Sequence, residues 1–420
     1  MPKSKSPEEL FKEREQRWND ALALKEPDRV PLAPFCHFYP TLKKGMSFKE
    51  AMFDHAKTAA AYKEIVLEYN WDMAPTMQAL FSGPVIKALK ARIFKVPGID
   101  LPDNVPFQFN EAERMKAEEY EEFFANPSDF VIRKWLPRSF GAFEAYQTLP
   151  EISSFIGYGA VIIIPMLTAP PPFAQFMEDL KAANQAVMSW MGVSAGYEAE
   201  MRNMGYPTQF DVITMSPFDV ASEFLRGLRG TMLDMYRHPE ELKHLIDLLT
   251  PYQIQGMAAQ AQMFGNPRVF IPLHRGAGGF MSNEQFEEFY WPSLKKIILD
   301  LIKEGLQPVP FYEGDYNPRL EYLKELPKGK TVAWLDRTDI FKAKEEIGDR
   351  ICLKGNIPAS LFVAGTPAQM EEYCKKLIDI VGEGGGFMID GAVSGIPDNA
   401  KPENVKAMAD AVFKYGVYNK

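Results

Sequence analysis

The sequence predicts a closed (β/α)8 barrel, or TIM barrel, over its 420 residues. Short apolar runs that are typical of buried strands alternate with amphipathic helical segments. In the second half, successive runs lie roughly 20–35 residues apart, which is the spacing of strand–helix–strand units. About eight such units can be counted, and this number favours closure into a barrel over an open sheet.

The first elements follow from capping and turn residues. Ser6-Pro7-Glu8-Glu9 is a capping box with proline at the first helical position, so a helix is predicted from there. Residues 84–150 interrupt the alternation with turn-rich and charged segments, and we interpret them as an insertion capping the mouth of a single barrel over residues 1–420. Buried strands are predicted over 30–35, 71–77, 210–215, 269–273, 309–311, 331–335, 351–353 and 386–389.

Composition excludes several classes of function. The net charge is −9, and an acidic surface does not favour nucleic acid or anionic membranes. Three scattered cysteines fit a reducing compartment. The N-terminal residues show no apolar leader, and the apolar run 160–167 is short for a membrane span. We therefore expect a cytoplasmic protein with no nucleic-acid or membrane partner.

Polar side chains follow nearly every predicted strand of the second half. In a barrel these strand ends meet at one opening, so residues far apart in sequence would share a pocket. The alternative is that each side chain caps a helix or pairs with a neighbour. These residues are Ser216, Asp219, His274, Arg275, Glu313, Asp315, Tyr316, Asp336, Arg337, Asn356, Asp390 and Ser394.

Among these residues, Glu313 and His274 are the main candidates for chemistry. The apolar strand 309–311 changes abruptly to acidic residues at Glu313 and Asp315. His274 is the best catalytic candidate of the five histidines, because it follows a strand and not a charged helix. A histidine near a carboxylate can transfer a proton or join that carboxylate in binding a divalent metal.

Two other motifs leave alternatives open. Asp336-Arg337 could clamp substrate, or the two residues could form a structural ion pair while Thr338 or Asp339 caps the next helix. Cys36-His37, at the end of the first strand, could bind metal, contact substrate or simply pack.

The C-terminal half carries a series of motifs in a specific order. The motifs are Ser216-Pro217-Phe218 with Gly227, Phe286 to Pro292, Gly355-Asn356-Ile357-Pro358-Ala359, Gly365-Thr366-Pro367, Gly385 to Ile389, Gly395-Ile396-Pro397 and Lys401 to Met408. With these motifs the chain resembles the uroporphyrinogen decarboxylase superfamily over roughly residues 205–416. The resemblance implies a (β/α)8 barrel with its site at the C-terminal mouth. It also implies either decarboxylation of a tetrapyrrole or methyl transfer involving a corrinoid protein.

The chain departs from both patterns of the superfamily. Residues 36–40 contain no arginine to hold substrate carboxylates, and Glu223 stands where the decarboxylases carry a tyrosine. The zinc ligands of the thiol methyltransferases correspond to Phe311, Glu313 and Ser394, which do not form a thiolate site. Glu313 and His274 could still hold zinc or another divalent ion.

The resemblance and its departures lead to an expected activity. The chain is expected to pass a methyl group between a methyl-corrinoid protein and a small thiol or pterin, and not to be a true uroporphyrinogen decarboxylase. The alternatives are a lyase or decarboxylase acting on a small carboxylate, and a binding protein with a degenerate site. The predicted catalytic residues are Glu313, Asp315, His274 and Asp390. The predicted substrate contacts are Arg275, Tyr316, His37, Asp336, Arg337 and Ser394.

Overall fold

A computed structural model describes residues 5–77, 80–167, 170–392 and 395–418. Its main sheet has six parallel strands in sequential order, β3 to β8. A separate antiparallel hairpin, β1 with β2, precedes them in the chain. The strands are β1 (Phe94–Lys95), β2 (Gln108–Phe109), β3 (Val212–Ile213), β4 (Arg268–Leu273), β5 (Gln307–Tyr312), β6 (Val332–Leu335), β7 (Cys352–Ile357) and β8 (Phe387–Gly391).

Two extended segments complete the barrel on the side where the six strands leave a gap. The N–H of Ile389 in β8 donates to the carbonyl of Pro31 at 3.0 Å, and the N–H of Asp72 donates to the carbonyl of Leu32 at 2.8 Å. A parallel bridge then joins Ala74 to Thr208, just before β3. Residues 31–36 and 72–76 therefore occupy the first two strand positions, as the sequence predicted, and the (β/α)8 barrel closes.

The helices connect and surround these strands. Those before β3 are α1 (Pro7–Leu22), α2 (Tyr39–Lys43), α3 (Phe48–Phe53), α4 (His55–Tyr69), α5 (Gly83–Leu89), α6 (Tyr120–Ala125), α7 (Pro127–Phe130), α8 (Leu136–Ser139), α9 (Ala160–Met166) and α10 (Pro171–Asn203). Those after β3 are α11 (Pro217–Val220), α12 (Gly227–Arg237), α13 (Pro239–Leu249), α14 (Met257–Phe264), α15 (Asn283–Gln285), α16 (Trp291–Lys303), α17 (Leu320–Leu323), α18 (Ile340–Ile347), α19 (Ala359–Val363), α20 (Pro367–Ile380) and α21 (Pro402–Tyr415).

The barrel interior is filled in layers, because alternate residues of each strand point inward. The lowest layer packs against α1, which closes the bottom of the barrel with Trp18. Its members are Ala33, Met73, Val309, Val332, Cys352 and Met388. An aromatic layer lies above it, made of Phe35, Phe210, Phe270, Phe311 and Trp334. Residues further along the same strands therefore line the mouth.

Residues 83–150 form α5 to α8 and the β1–β2 hairpin. They are tied to the segment that follows β3. The N–H groups of Arg114 and Met115 donate to the carbonyl of Leu225 at 2.7 and 2.8 Å, and the Trp135 indole donates to the carbonyl of Phe224 at 2.7 Å. The insertion thus reaches the mouth side of the barrel, while its action as a cap stays a prediction.

The helix α10 is 33 residues long, or about 50 Å. Near its C-terminal end, the carbonyl of Gly205 accepts a hydrogen bond from Arg14 of α1, which marks the bottom of the barrel. Elsewhere α10 packs against α5, which follows the second strand position on the mouth side. Since a six-residue strand spans only about 20 Å, the N-terminal part of α10 extends past the mouth.

Glu198 of α10 is expected to make stability fall as pH rises. Burial and the charge of Asp211 raise the pKa of Glu198 to about 7, and its Oε1 has no hydrogen-bond partner in the described part of the chain. Since the folded state holds this proton more tightly than the unfolded state, stability decreases from about pH 4.5 to about pH 7. Thermal melts should show Glu198→Gln melting higher than wild type at pH 8 and like wild type at pH 4.5. Glu178→Gln, at an exposed site on the same helix, is the control, and equal curves for all three proteins would contradict the assignment.

Candidate active site

A histidine and a glutamate face each other across adjacent strand ends at the barrel mouth. His274 follows the last residue of β4, and Glu313 follows the last residue of β5. Nε2 of His274 lies 3.7 Å from Oε2 of Glu313, and the two side chains are 31% and 44% exposed. Both are therefore accessible from the opening, and the structure brings together the two main candidates of the sequence analysis.

The other ring nitrogen of His274 is held by Glu223. The imidazole N–H at Nδ1 donates to Oε1 of Glu223, whose side chain is only 8% exposed. Glu223 belongs to a π-helical turn, Ala221–Arg226, that follows α11. This contact fixes the ring orientation and directs Nε2 toward the mouth. The sequence analysis noted Glu223 only as a residue that replaces a tyrosine of the decarboxylases, and it predicted no role for Glu223.

Asp219 holds the backbone that follows β4 in place through hydrogen bonds. Its carboxylate accepts the backbone N–H of His274 at 3.2 Å and that of Arg275 at 3.0 Å. The hydroxyl of Tyr290 donates to the same carboxylate at 2.6 Å. Asp219 lies in the first turn of α11, where the Ser216 hydroxyl accepts its backbone N–H at 3.3 Å. Asp219 thus fixes the backbone position of His274. The sequence analysis had included Asp219 only among the polar residues that follow a strand.

The carboxylates around His274 keep its ring protonated. Burial by itself lowers the pKa of His274, but the hydrogen bond to Glu223 and the nearby negative charges outweigh it and raise that pKa to about 9. Burial also raises the pKa of Asp219, to about 6, and that of Glu313 above its usual value. At neutral pH, His274 is therefore a cation with an N–H at Nε2, and the site can donate a proton there.

Arg275, the residue after His274, has its guanidinium among polar groups near Glu223. Its guanidinium donates to the Ser222 hydroxyl at 3.4 Å and to Glu111 at 3.3 Å, and it approaches Glu223 at 3.9 Å. Glu111 belongs to the 83–150 insertion, so that segment takes part in the charge balance of the mouth. The side chain of Arg275 is 13% exposed, which leaves little of it free for a substrate.

The turn after β5 places its two remaining candidates differently. Gly314 has φ +93°, a left-handed conformation that favours glycine, and its N–H donates to Asp336 at 2.8 Å. Asp315 is exposed, and its Oδ1 accepts the N–H of Asn317 at 2.8 Å in a local turn. Tyr316 is fully buried under Gly276, where a Cβ would come within 2.5 Å of its hydroxyl.

The segment after β6 shows which residue caps the next helix, a choice that the sequence left open between Thr338 and Asp339. Asp339 caps α18, with its carboxylate accepting the N–H groups of Phe341 and Lys342 at 3.0 and 3.2 Å. Asp336 is buried, and burial raises its pKa. Arg337 is 76% exposed and lies 3.8 Å from Asp336. Any role of these two residues as a substrate clamp stays a prediction.

The remaining candidates lie apart from the His274–Glu313 pair. Asp390 is fully buried, paired with Lys354, and accepts the N–H of Phe35 at 3.1 Å, so it lies at the level of the aromatic layer. His37 packs edge-on against Phe35 with ring centroids 4.8 Å apart, and burial lowers the pKa of His37 to about 4. Ser394 lies outside the described residues.

The donor set at the mouth does not fit a zinc site. His274 and Glu313 supply two ligands, and no third histidine, cysteine, aspartate or glutamate completes a metal-binding group in the described ranges. The three cysteines are buried, and burial raises the pKa of each thiol above its usual value. Structural zinc normally takes four ligands and catalytic zinc three, so we assign no step to a metal.

Residues 201–415 match the sequence model of a family described as uroporphyrinogen decarboxylase (URO-D). The match covers slightly more than half of the 420 residues, from the end of α10 to the end of α21. The chain belongs to the uroporphyrinogen decarboxylase family. The resemblance inferred from the C-terminal motifs is therefore confirmed.

Relatives within the uroporphyrinogen decarboxylase family share only part of their length with this chain. The uroporphyrinogen decarboxylase of Pseudoalteromonas atlantica is 32% identical over 184 residues, which is 43% of this chain and 50% of the relative. That of Dechloromonas aromatica is 27% identical over 207 residues, or 48% and 57% of the two chains. The chain thus spans about half the length of the curated relatives it matches.

A solved structure shows the fold over nearly the whole chain. A methyltransferase from Methanosarcina mazei superposes with a TM-score of 0.61 at 16% identity, covering 96% of this chain and 98% of the other. At this identity the likeness shows the fold alone. It confirms the (β/α)8 barrel that the strand spacing predicted, including the part before residue 201 that the family model does not match.

Proposed function

We propose that this uroporphyrinogen decarboxylase family member is a methyltransferase that passes a methyl group between a corrinoid, carried by a partner protein, and a small molecule. The observation that carries the proposal is the row Glu223–His274–Glu313 at the mouth, which holds a protonated imidazole beside an accessible carboxylate. The fold likeness to a methyltransferase supports it.

The protonated imidazole decides which small molecules suit the site. When a methyl group leaves a nitrogen or oxygen atom, the bonding electrons stay on that atom, and a proton is needed there. The N–H at Nε2 of His274 can supply this proton. A corrinoid would supply the metal centre that receives the methyl group. A thiol acceptor must instead lose a proton, which a cationic His274 cannot take. We therefore favour a pterin-type amine over a thiol.

The charges of the mouth disfavour tetrapyrrole decarboxylation. Uroporphyrinogen carries eight carboxylates, as the resemblance implies, and a site for it needs several cations. Here the described mouth residues include the carboxylates of Glu223, Glu313 and Asp336, and Arg275 is already in contact with Glu111. A polyanion would meet net negative charge at this opening.

Replacing Glu313 tests the site. Because Glu313 is the accessible carboxylate beside Nε2 of His274, Glu313→Ala is expected to lower methyl transfer by about 10²-fold or more. The assay follows formation of the methyl–cobalt absorption band when the protein is mixed with cob(I)alamin and 5-methyltetrahydrofolate. Circular dichroism should be unchanged. The control is Glu321→Ala, an exposed glutamate on α17. Wild-type turnover by Glu313→Ala would remove Glu313 from the chemistry, and no turnover by wild type with any methyl donor or acceptor would count against the function itself.

A lyase or decarboxylase acting on a small carboxylate is the second candidate. The protonated and accessible His274 favours it, since its N–H at Nε2 could hold one carboxylate. Release of CO2 from small carboxylic acids, with no change in the methyl–cobalt band, would support this candidate over methyl transfer.

A further inference from the structure

The helix α9 stands out from the molecule with apolar side chains on every side. Val161, Ile162, Ile163 and Ile164 are 80%, 66%, 38% and 54% exposed. Successive residues of a helix are about 100° apart, so these four cover the whole circumference. Met166 is also exposed, at 61%. Soluble proteins rarely leave such a surface in water.

The sequence around α9 also lacks charged residues. Residues 152–177 contain no charged residue and no histidine, although a quarter of the whole chain is charged. Tyr158, just before α9, is 102% exposed. A tyrosine beside a bare apolar segment is the arrangement found where proteins meet the headgroup region of a bilayer, since the ring is apolar and its hydroxyl is polar.

We propose that residues 156–166, which comprise α9 and the four residues before it, insert into one leaflet of a lipid bilayer. A protein partner covers one side of a short helix, whereas a lipid phase can surround most of it. Exposed apolar side chains lie around most of α9, and Ile163 is the least exposed of them because it lines a cavity with Thr148 and Phe173. The helix has seven residues and is about 10 Å long, so it reaches into a single leaflet of a hydrocarbon core of about 30 Å.

No single helix in the described part of the chain is long and apolar enough to cross a membrane, and α9 and α10 reach that length and composition only together, as a pair bent by 67°. The proposed insertion departs from the expectation of no membrane partner, which rested on the net charge of −9 and on the shortness of the apolar run 160–167. That charge opposes anionic lipid, so the contact is with uncharged or zwitterionic lipid and is driven by apolar burial.

Flotation with vesicles tests the proposal. The full chain is mixed with phosphatidylcholine vesicles and centrifuged through a density gradient. Wild type is expected to float with the vesicles, and Ile162→Glu/Ile164→Glu is expected to lose at least about tenfold in vesicle-bound fraction, because each charge must enter the apolar phase. The matched control is Ile99→Glu/Ile380→Glu, which changes two isoleucines that are each 44% exposed elsewhere on the surface. It should float like wild type.

Two outcomes would overturn the proposal. One is a wild-type protein that stays at the bottom of the gradient. The other is a wild-type dimer, measured by light scattering without lipid, that Ile162→Glu/Ile164→Glu converts to a monomer while vesicle binding is the same for both proteins. The second result would assign the α9 surface to another copy of this chain. Stronger binding to phosphatidylglycerol than to phosphatidylcholine vesicles would contradict the apolar driving force.

Discussion

His274→Gln is expected to lower kcat for methyl transfer by about 10²- to 10⁴-fold, because glutamine has no ionisable proton to give to the leaving atom. KM should change less, since the mouth keeps its shape and a polar group stays at the position. The measurement is the initial rate at which the methyl–cobalt band forms from cob(I)alamin and an N-methylated pterin. Retention of the wild-type kcat would show that His274 is not the proton donor.

Glu223→Gln separates a proton-transfer role of His274 from a structural one. Glu223 is the main group that raises the pKa of His274 to about 9. In wild type, the rate that depends on a protonated His274 is expected to fall as pH rises through about 9. With a neutral glutamine at 223, the pKa of His274 drops, so this decline should begin at lower pH. An identical pH profile for both proteins would contradict the proton donor, even if both rates were low.

Lys354→Met is expected to destabilise the fold by about 3–5 kcal/mol, because it leaves the carboxylate of Asp390 buried without its partner. The two side chains are 1% and 0% exposed, and the ammonium of Lys354 also lies 3.7 Å from the ring centroid of Trp334. Urea unfolding followed by circular dichroism measures the change. An effect below about 1 kcal/mol would show that the pair is not maintained in solution.

The double variant Lys354→Met/Asp390→Asn is the control for that prediction. Asparagine removes the charge and can still accept the N–H of Phe35, so most of the lost stability should return. The single variant should also be more stable at pH 5 than at pH 8. Burial already raises the pKa of Asp390 to about 6, and without Lys354 it rises further, so acid neutralises the unpaired carboxylate.

The strands were predictable because local sequence encodes them. Apolar runs such as 309–311 and 331–335 have no other place in the fold than a buried sheet, and their even spacing implies closure. The same rule found His274 and Glu313, since residues that follow parallel strands meet at one edge. The motifs after residue 205 gave the family for a different reason, as they match a known series.

Contacts between distant segments were not predictable. Glu223 lies on a helical turn 51 residues before His274, and nothing local marks it as a partner of that ring. Asp390 was expected at the mouth because it follows an apolar run. The strand β8 continues through Gly391, however, which keeps Asp390 inside the barrel, where Lys354 neutralises it. From sequence alone, a lysine within a strand is predicted to lie on the surface, because the buried carboxylate that pairs with it is not known.

Tyr316 was also expected at the mouth because it follows a strand. The left-handed turn at Gly314 precedes it, however, and the structure buries Tyr316 under Gly276.

The aromatic layer inside the barrel has a consequence for the order of events. Phe35, Phe210, Phe270, Phe311 and Trp334 close the interior below His274, and α1 seals the far end. Molecules therefore reach His274 from the mouth side and not through the barrel interior. Under the proposed function a corrinoid protein docks at this mouth, so the small molecule has to enter before the protein docks and can leave only after the protein has left.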